Sequence, residues 1–262
     1  MPVLGQRIRA AAKAAGFHLC GSALIAALGA VLVLCIWYPY PYDHLSGGLD
    51  LFLIMTGVDV VCGPLLTLVL FNPLKRRREL VTDLSLVALI QLAALVYGVY
   101  SVQDARPLFL VHEVDRFRVI AMPDYGDVDV SAALAALHPS LRPRWYRGTV
   151  TVGLREPTVK ERNRVLFESV SGGRDYSQRP EFYIPYDAAY QGKALARARP
   201  LKMFTSDYPA TASAAADILN QHGIALDDAL YLPVPYRQAW VAVLDKSANI
   251  LGFLPGDGLA VP

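Results

Sequence analysis

Residues 51–71 read LFLIMTGVDVVCGPLLTLVLF, an apolar stretch whose one charged group is the carboxyl of Asp59. Two similar stretches flank it, Phe17–Tyr38 and Leu84–Val102, and neither contains a formally charged side chain. About 20 residues of apolar helix cross a bilayer core, and a helix satisfies its own backbone hydrogen bonds in lipid. The pattern therefore predicts three transmembrane helices, at about residues 17–38, 50–71 and 82–102. Buried helices of a soluble protein are the alternative, but such helices seldom reach this length without charge.

The composition is uneven along the chain. The 262 residues are 54% hydrophobic and 18% charged, whereas a soluble domain carries about 25% charged residues. Residues 1–101 contain seven basic and five acidic side chains, and residues 102–262 contain 18 of each. A neutral C-terminal region has no basic surface for nucleic acid. Because all three cysteines lie in the apolar stretches, that region is expected to have no disulfide, even in an oxidising compartment.

The positions of the basic residues predict the topology. Three lie between residues 7 and 13, four form Lys75–Arg78, and the loop Tyr38–Gly48 has none. Lys and Arg beside transmembrane helices stay cytoplasmic. We therefore expect a cytoplasmic N-terminus and a region after Val102 on the outer side, the periplasm in a Gram-negative bacterium. The predicted units are a membrane domain of residues 1–104 and a periplasmic domain of residues 105–262.

The first apolar stretch also has features of a signal peptide, because basic residues precede it. It is long, however, and Trp37-Tyr38-Pro39-Tyr40 follows where small cleavage-site residues would be expected. We interpret it as an uncleaved first helix.

Three residues are candidates for contacts inside the membrane. Asp59 lies near the middle of the second helix, where a charge costs roughly 2.5–3.5 kcal/mol, so its carboxyl is expected to be protonated or hydrogen-bonded. Gln91 lies at a similar depth in the third helix, which suggests an Asp59–Gln91 hydrogen bond. A polar group on a partner's helix, or proton or ion chemistry, are alternatives for Asp59. Pro64 cannot donate to the carbonyl of Val60 and should kink the second helix.

These membrane residues resemble a known family, the type IV pilin accessory proteins of the TfpX/TfpZ group. The motifs that carry the resemblance are Tyr38-Pro39-Tyr40-Pro41-Tyr42, Ser46-Gly47-Gly48, the run Val58–Thr67, and Phe71-Asn72-Pro73-Leu74-Lys75. The similarity continues through Gln91-Leu92, Tyr97-Gly98 and Ala105-Arg106-Pro107, and it covers roughly residues 17–120. It implies a bacterial inner-membrane protein, chaperone-like, that assists the stability or maturation of a type IV pilin subunit or pilus assembly. It implies no enzymatic activity and no cofactor.

The C-terminal region mixes strands and helices, which favours an α+β domain. Strands are predicted at residues 107–114, 116–122, 148–153, 230–234, 239–244 and 250–254. Helices are predicted at residues 130–137, at Pro157–Val170 with Val159, Leu166, Phe167 and Val170 on one face, and at Tyr208–His222 with Asp207 as its N-cap. The aromatic segment from Tyr183 to Tyr190 is either a binding surface or a Pro-broken edge packed on the core.

The sequence contains no motif typical of catalysis. The five histidines lack metal-ligand spacing, and there is no GxSxG, P-loop or GxGxxG signature. An assembly or chaperone module is therefore the favoured interpretation, with a type IV pilin subunit and the lipid bilayer as partners and no small-molecule substrate. A membrane-anchored periplasmic ligand sensor or regulator and a membrane enzyme are the alternatives. A sensor would require a cytoplasmic output domain, which the short predicted cytoplasmic segments do not provide.

Overall fold

The computed structural model describes residues 2–170 and 172–262. Its N-terminal part is helical. Helix α1 (Pro2–Leu32) continues into a π-helical turn (Val33–Trp37) and is followed by a short α2 (Tyr42–Leu45), then α3 (Gly48–Leu70) and α4 (Arg77–Asp104). Three helices, Gly5–Trp37, Gly48–Leu70 and Arg77–Asp104, are long and apolar enough to cross a membrane.

The outward-facing side chains of these helices are apolar. Leu24, Ile54 and Leu89 are 63%, 69% and 63% exposed, and few residues of each apolar stretch are buried. Helices in the core of a soluble protein would bury such side chains. The three helices therefore fit a bilayer, and the soluble-core alternative does not describe them.

The chain divides into two compact units. The first comprises Met1–Asp43 and Gly47–Asp104, and the second comprises His44–Ser46 and Ala105–Pro262.

The second unit contains two four-stranded sheets. The first sheet has the order β2-β1-β3-β4, built from β1 (Pro107–Glu113), β2 (Arg116–Ala121), β3 (Val150–Leu154) and β4 (Tyr183–Pro185). Strands β1 and β3 are parallel and the other pairs are antiparallel. Helix α5 (Ser131–Ala136) precedes β3, and α6 (Val159–Val170) follows it. The core of this half is formed by Phe109, Val111, Ile120, Val150, Val152 and Tyr183, among others.

The second sheet is antiparallel throughout, with the order β5-β6-β7-β8. Its strands are β5 (Arg199–Pro200), β6 (Leu230–Pro235), β7 (Ala239–Leu244) and β8 (Ile250–Pro255), and α7 (Ala188–Leu195), α8 (Leu201–Asp207) and α9 (Ala212–His222) complete this half. Its core includes Leu201, Phe204, Leu219, Tyr231, Val241 and Leu254. Three apolar helices followed by a unit of helices and sheets confirm the predicted fold class.

One local prediction needs correction, and one open alternative is decided. The helix predicted over Tyr208–His222 begins only at Ala212, and Asp207 is the last residue of α8 rather than an N-cap. Pro209 is the physical reason, because its ring disfavours a helical conformation at Tyr208, whose φ and ψ are −118° and 65°. Tyr183 and Tyr190 are both 6% exposed, which agrees with an edge strand packed on the core and not with an aromatic binding surface.

Helix α6 forms as predicted, but most of its apolar face is exposed. The Thr158 and Glu161 side chains cap its first turn reciprocally, the Glu161 carboxylate accepting from the Thr158 amide at 2.8 Å. Only Val165 is buried, whereas four apolar side chains are more than half exposed: Val159, Leu166, Phe167 and Val170.

Candidate functional site: a groove between the membrane helices

Helix α3 is the centre of the membrane unit. It packs against both α1 and α4, whereas α1 and α4 make few contacts with each other in the described part of the chain. Glycines permit the close approach of α3 and α4. A Cβ atom added at Gly98 would lie 2.4 Å from the Met55 side chain, and one added at Gly63 would lie 1.9 Å from Nε2 of Gln91. Any larger side chain at either position would therefore push the two helices or these side chains apart.

The structure brings Asp59, Pro64 and Gln91 into one region but with a different bond from the one we expected. The Gln91 amide donates to the main-chain carbonyl of Asp59 at 3.2 Å. Within the described residues, no hydrogen bond to the Asp59 carboxyl group is found. The reason is geometric: Gln91 rests on Gly63, one helical turn after residue 59, and from there it reaches the helix backbone. Pro64 lies next to Gly63 inside a helix that continues to Leu70.

A second polar contact joins α1 to α3, and our sequence interpretation missed it. Nδ1 of His18 lies 2.6 Å from the Thr67 hydroxyl, and Thr67 is 3% exposed. His18 lies near the start of the first apolar stretch, just after the N-terminal basic residues. Thr67 lies near the end of the second apolar stretch, just before Lys75–Arg78. Matching polar residues by depth, as we did for Asp59 and Gln91, could have paired them.

The opposite end of the helices is tied together by Tyr38. Its ring is completely buried, and its hydroxyl donates to the carbonyl of Val102 in α4 at 2.9 Å. A Cβ atom at Gly48, the first residue of α3, would lie 2.3 Å from this ring. The close contact of Tyr38 with Gly48 and its hydrogen bond to Val102 thus hold the ends of α1, α3 and α4 together.

A groove of about 670 Å³ lies between the three helices. It is open rather than enclosed, since Ile25 and Leu92 in its walls are 52% and 58% exposed. Its α1 wall runs from His18 to Trp37, about 28 Å at the helical rise, and its α4 wall from Ala88 to Val99, about 16 Å. The groove therefore extends over a large part of a bilayer core, about 30 Å thick.

The chemistry of the groove is apolar with one acid. Small residues of α1 line one wall, Gly21, Ser22, Ala26 and Gly29, and Asp59 is one of the residues that α3 contributes to the lining. Small residues let another helix approach closely, and a carboxyl group in this setting is best satisfied by a hydrogen-bond donor. The lining therefore combines small and apolar surfaces with one acidic residue.

The second unit has a more polar cleft of about 480 Å³, whose lining includes Arg118, Asp124 and Tyr236. These side chains are engaged within the unit. Arg118 forms ion pairs with Glu113 and Asp175, and the Tyr236 hydroxyl donates to Asp124 at 3.3 Å. Burial raises the pKa of Tyr236 to about 12. No group of three or more His, Cys, Asp or Glu side chains that could hold a metal occurs among the described residues.

Comparison with known proteins places the chain in a family. The family described as "Fimbrial assembly protein FimB" matches residues 6–47. "Fimbrial assembly protein, serogroup I" from Dichelobacter nodosus is 36% identical over 250 residues, which are 94% of this chain and 95% of that protein. The chain belongs to the fimbrial assembly protein family. The resemblance to type IV pilin accessory proteins is thereby confirmed.

Other relatives of this fimbrial assembly protein agree. The serogroup E1 protein of the same organism is 34% identical over 94% of this chain, and the protein of serogroups C1 and C2 is 45% identical over 119 residues, or 45% of this chain. No solved structure matches. The family match over residues 6–47 includes every residue that α1 contributes to the groove, and Tyr38.

Proposed function

We propose that this protein is a non-enzymatic accessory factor of type IV pilus assembly that holds a pilin subunit in the bacterial inner membrane before it joins the pilus. The relatives that match it over nearly their whole length are named as fimbrial assembly proteins, which supports a role in that process. The shape and chemistry of the groove support a chaperone-like contact with one pilin helix.

The open groove is the observation that carries this proposal. A helix with its side chains is about 10 Å wide, and α3 lines the groove from Phe52 to Val60, about two helical turns. In a bilayer this face contacts either lipid or another helix. The small residues of α1 favour a helix, because they allow the close backbone approach that drives association in lipid.

In this proposal, the carboxyl group of Asp59 determines which helix binds in the groove. Its neighbour Gln91 bonds to the backbone of residue 59 and not to its carboxyl group. The carboxyl is therefore available to a donor from the bound helix, and Gln91 and Gly63 serve as structural contacts between α3 and α4. An apolar helix that carries a hydrogen-bond donor at this depth is the expected occupant.

The proposed orientation places the N-terminus and Lys75–Arg78 in the cytoplasm and residues 105–262 in the periplasm, following the distribution of basic residues. The α+β unit would then stand on the same side as the globular part of a membrane-anchored pilin. A topology reporter fused after Leu230 should be active only in the periplasm. Activity in the cytoplasm would contradict this orientation.

Site-specific photocrosslinking from the groove tests the proposed contact. A photoreactive amino acid at Ile25, which lines the groove, should crosslink to pilin in membranes. The matched control is Leu24, its neighbour, which is 63% exposed and lies outside the groove lining. Equal crosslinking from both positions, or none from Ile25 in cells that accumulate pilin, would contradict the groove as the contact site.

A genetic experiment tests the role in assembly separately from the groove. Deletion of the gene should reduce pilin accumulation or piliation, and normal levels of both would contradict the proposed function.

Variants of Asp59 test its role in the groove. Asp59→Asn retains a polar group and should have a mild effect on pilin crosslinking from Ile25, whereas Asp59→Leu should lower it. Equal tolerance of both variants would remove Asp59 from the proposal. A ligand sensor would instead leave pilin crosslinking absent while deletion altered expression of other genes.

A further inference from the structure

Helix α6 is attached to the second unit by its charged side. The Glu161 carboxylate accepts two hydrogen bonds from the guanidinium group of Arg155, at 2.8 and 3.0 Å. Glu168, seven residues later, is paired with the guanidinium group of Arg179, which is 2% exposed. Val165 lies between the two carboxylates in sequence and is also 2% exposed. Because residues three and four apart share one side of a helix, these contacts fix the rotation of α6 about its axis.

The opposite side of the helix carries an exposed apolar stripe, which we call the α6 stripe and which consists of Val159, Leu166 and Val170. These side chains are 74%, 56% and 87% exposed, and at about 100° per residue they lie within about 40° of one another. A surface helix normally turns its apolar stripe to the core, whereas the ion pairs of Glu161 and Glu168 hold α6 the other way round. Exposed apolar surface with a polar rim is typical of interaction sites.

Two cations border the α6 stripe, one on each side. Lys160 lies about 100° from its centre in one direction, and Arg162 about 60° in the other. Within residues 2–170 and 172–262, neither forms an ion pair with a carboxylate, whereas both carboxylates of α6 are bound by arginines. The stripe therefore combines apolar surface with a positive border, and it is complementary to an apolar patch bordered by carboxylates.

A second copy of the chain fits this surface poorly. A two-fold contact places the same patch of both chains face to face, so like charges would meet along the borders of the stripe. The stripe is also small, because eleven residues at about 1.5 Å each make it about 17 Å long and a helix is about 10 Å wide. A stable interface buries about 800 Å² on each partner. The size and charge of the stripe therefore favour a weak contact with a different, acidic partner.

We infer that the α6 stripe is a docking surface for the globular part of a pilin subunit, which binds it through an apolar patch bordered by carboxylates; the inference rests on the proposed function. In the proposed orientation the globular part of the pilin and the α+β unit share one side of the membrane. Exposed ion pairs contribute little affinity each, so the contact is readily reversible. Reversibility suits a factor that releases its pilin subunit to the growing pilus.

Photocrosslinking from the α6 stripe tests this docking surface in membranes that contain the full chain and pilin. A photoreactive amino acid at Leu166 should crosslink to pilin. The matched control is Val128, another apolar residue of the same unit that is 47% exposed, and it should give no pilin adduct. Crosslinking from Ile25 in the same membranes reports separately on the groove. A pilin adduct from Ile25 with none from Leu166 would overturn the docking surface and leave the proposed function intact. A homodimer adduct from Leu166 in place of the pilin adduct would also overturn it.

Charge variants test the chemistry of the partner. Lys160→Gln together with Arg162→Gln should lower the pilin adduct from Leu166 by roughly two- to thirtyfold, because two exposed ion pairs are lost. Arg197→Gln together with Lys202→Gln removes two other exposed cations of the same unit and should leave the adduct unchanged. Equal effects of the two double variants would indicate net charge rather than the stripe. That result, or an unchanged adduct in the first double variant, would overturn recognition by a carboxylate-bordered patch.

Discussion

The buried imidazole of His112 predicts that the α+β unit loses stability in mild acid. His112 lies in β1, is 2% exposed, and its Nδ1 is 3.0 Å from the Tyr190 hydroxyl. The rings of Phe117, Tyr186 and Tyr190 surround it, and its Nε2 is buried with no hydrogen-bond partner among the described residues. Burial is the main cause that lowers the pKa of His112 to about 4.

The charged neighbours modify this shift without reversing it. Asp115 favours the protonated ring and so raises the pKa, whereas Lys193 lowers it. Because the pKa in the folded state is below the ordinary value of 6.5, the unfolded chain binds the proton more tightly. The stability due to the neutral ring is fully present above pH 6.5 and is lost as the pH falls towards 4.

The size of the effect follows from the shift. A difference of about 2.5 pKa units corresponds to about 3.4 kcal/mol, of which about 2 kcal/mol is lost between pH 7 and pH 5. For a unit of this size 1 kcal/mol changes the melting temperature by about 2–4 °C. Protonation of His112 should therefore lower the melting temperature by about 4–8 °C between these two pH values.

Thermal unfolding in detergent, followed by intrinsic fluorescence at pH 7 and pH 5, measures this effect. His112→Gln should remove about 4–8 °C of the pH-dependent fall, because glutamine does not titrate. His138→Gln, which changes an exposed histidine, should behave as the wild type. A fall in His112→Gln as large as that in the wild type would refute the assignment of the acid sensitivity to this ring.

Three further predictions concern packing and backbone conformation. Gly63→Ala should lower the free energy of unfolding, measured in mixed micelles, by about 1 kcal/mol, because the added methyl group displaces the Gln91 amide. The same change should cost little in a Gln91→Ala background. Equal losses in the wild-type and Gln91→Ala backgrounds would contradict this coupling. Tyr38→Phe should lower the free energy of unfolding by about 1 kcal/mol in the same assay, because the carbonyl of Val102 loses its hydrogen-bond donor. Tyr97→Phe, at a position that is 73% exposed, should leave the free energy of unfolding unchanged. Val114→Asn should stabilise the second unit by about 1 kcal/mol, since the φ of Val114 is 58° and asparagine tolerates this left-handed conformation; an unchanged melting temperature would count against strain at this turn.

Much of the secondary structure followed from the sequence. The strands β1, β2, β6, β7 and β8 were predicted within one or two residues, because short apolar runs bounded by turn residues determine them locally. Helices α7 and α8 were not predicted, since their few apolar residues lack a clear helical period. The break before α9 was also missed, although Pro209 was visible, because a proline is compatible with the first turn of a helix as well as with its interruption.

The candidate site was predictable in part. Depth along a helix follows from counting residues, at about 1.5 Å each, and this brought Asp59 and Gln91 together. Which atoms meet depends on the rotation of each helix about its axis. That rotation is set by the packing of Gly63 and Gly98 against the neighbouring helix, and it directs the Gln91 amide to the main-chain carbonyl of Asp59 instead of the carboxyl group.

The sequence by itself determined that the chain has three apolar helices and a mixed C-terminal unit, because hydrophobicity and its period are properties of neighbouring residues. The tertiary structure alone decided that α1 and α4 leave a groove on α3, that the apolar face of α6 remains exposed, and that the His112 ring is buried among Phe117, Tyr186 and Tyr190. Each of these depends on contacts between residues far apart in the chain, which are fixed only when the side chains pack together.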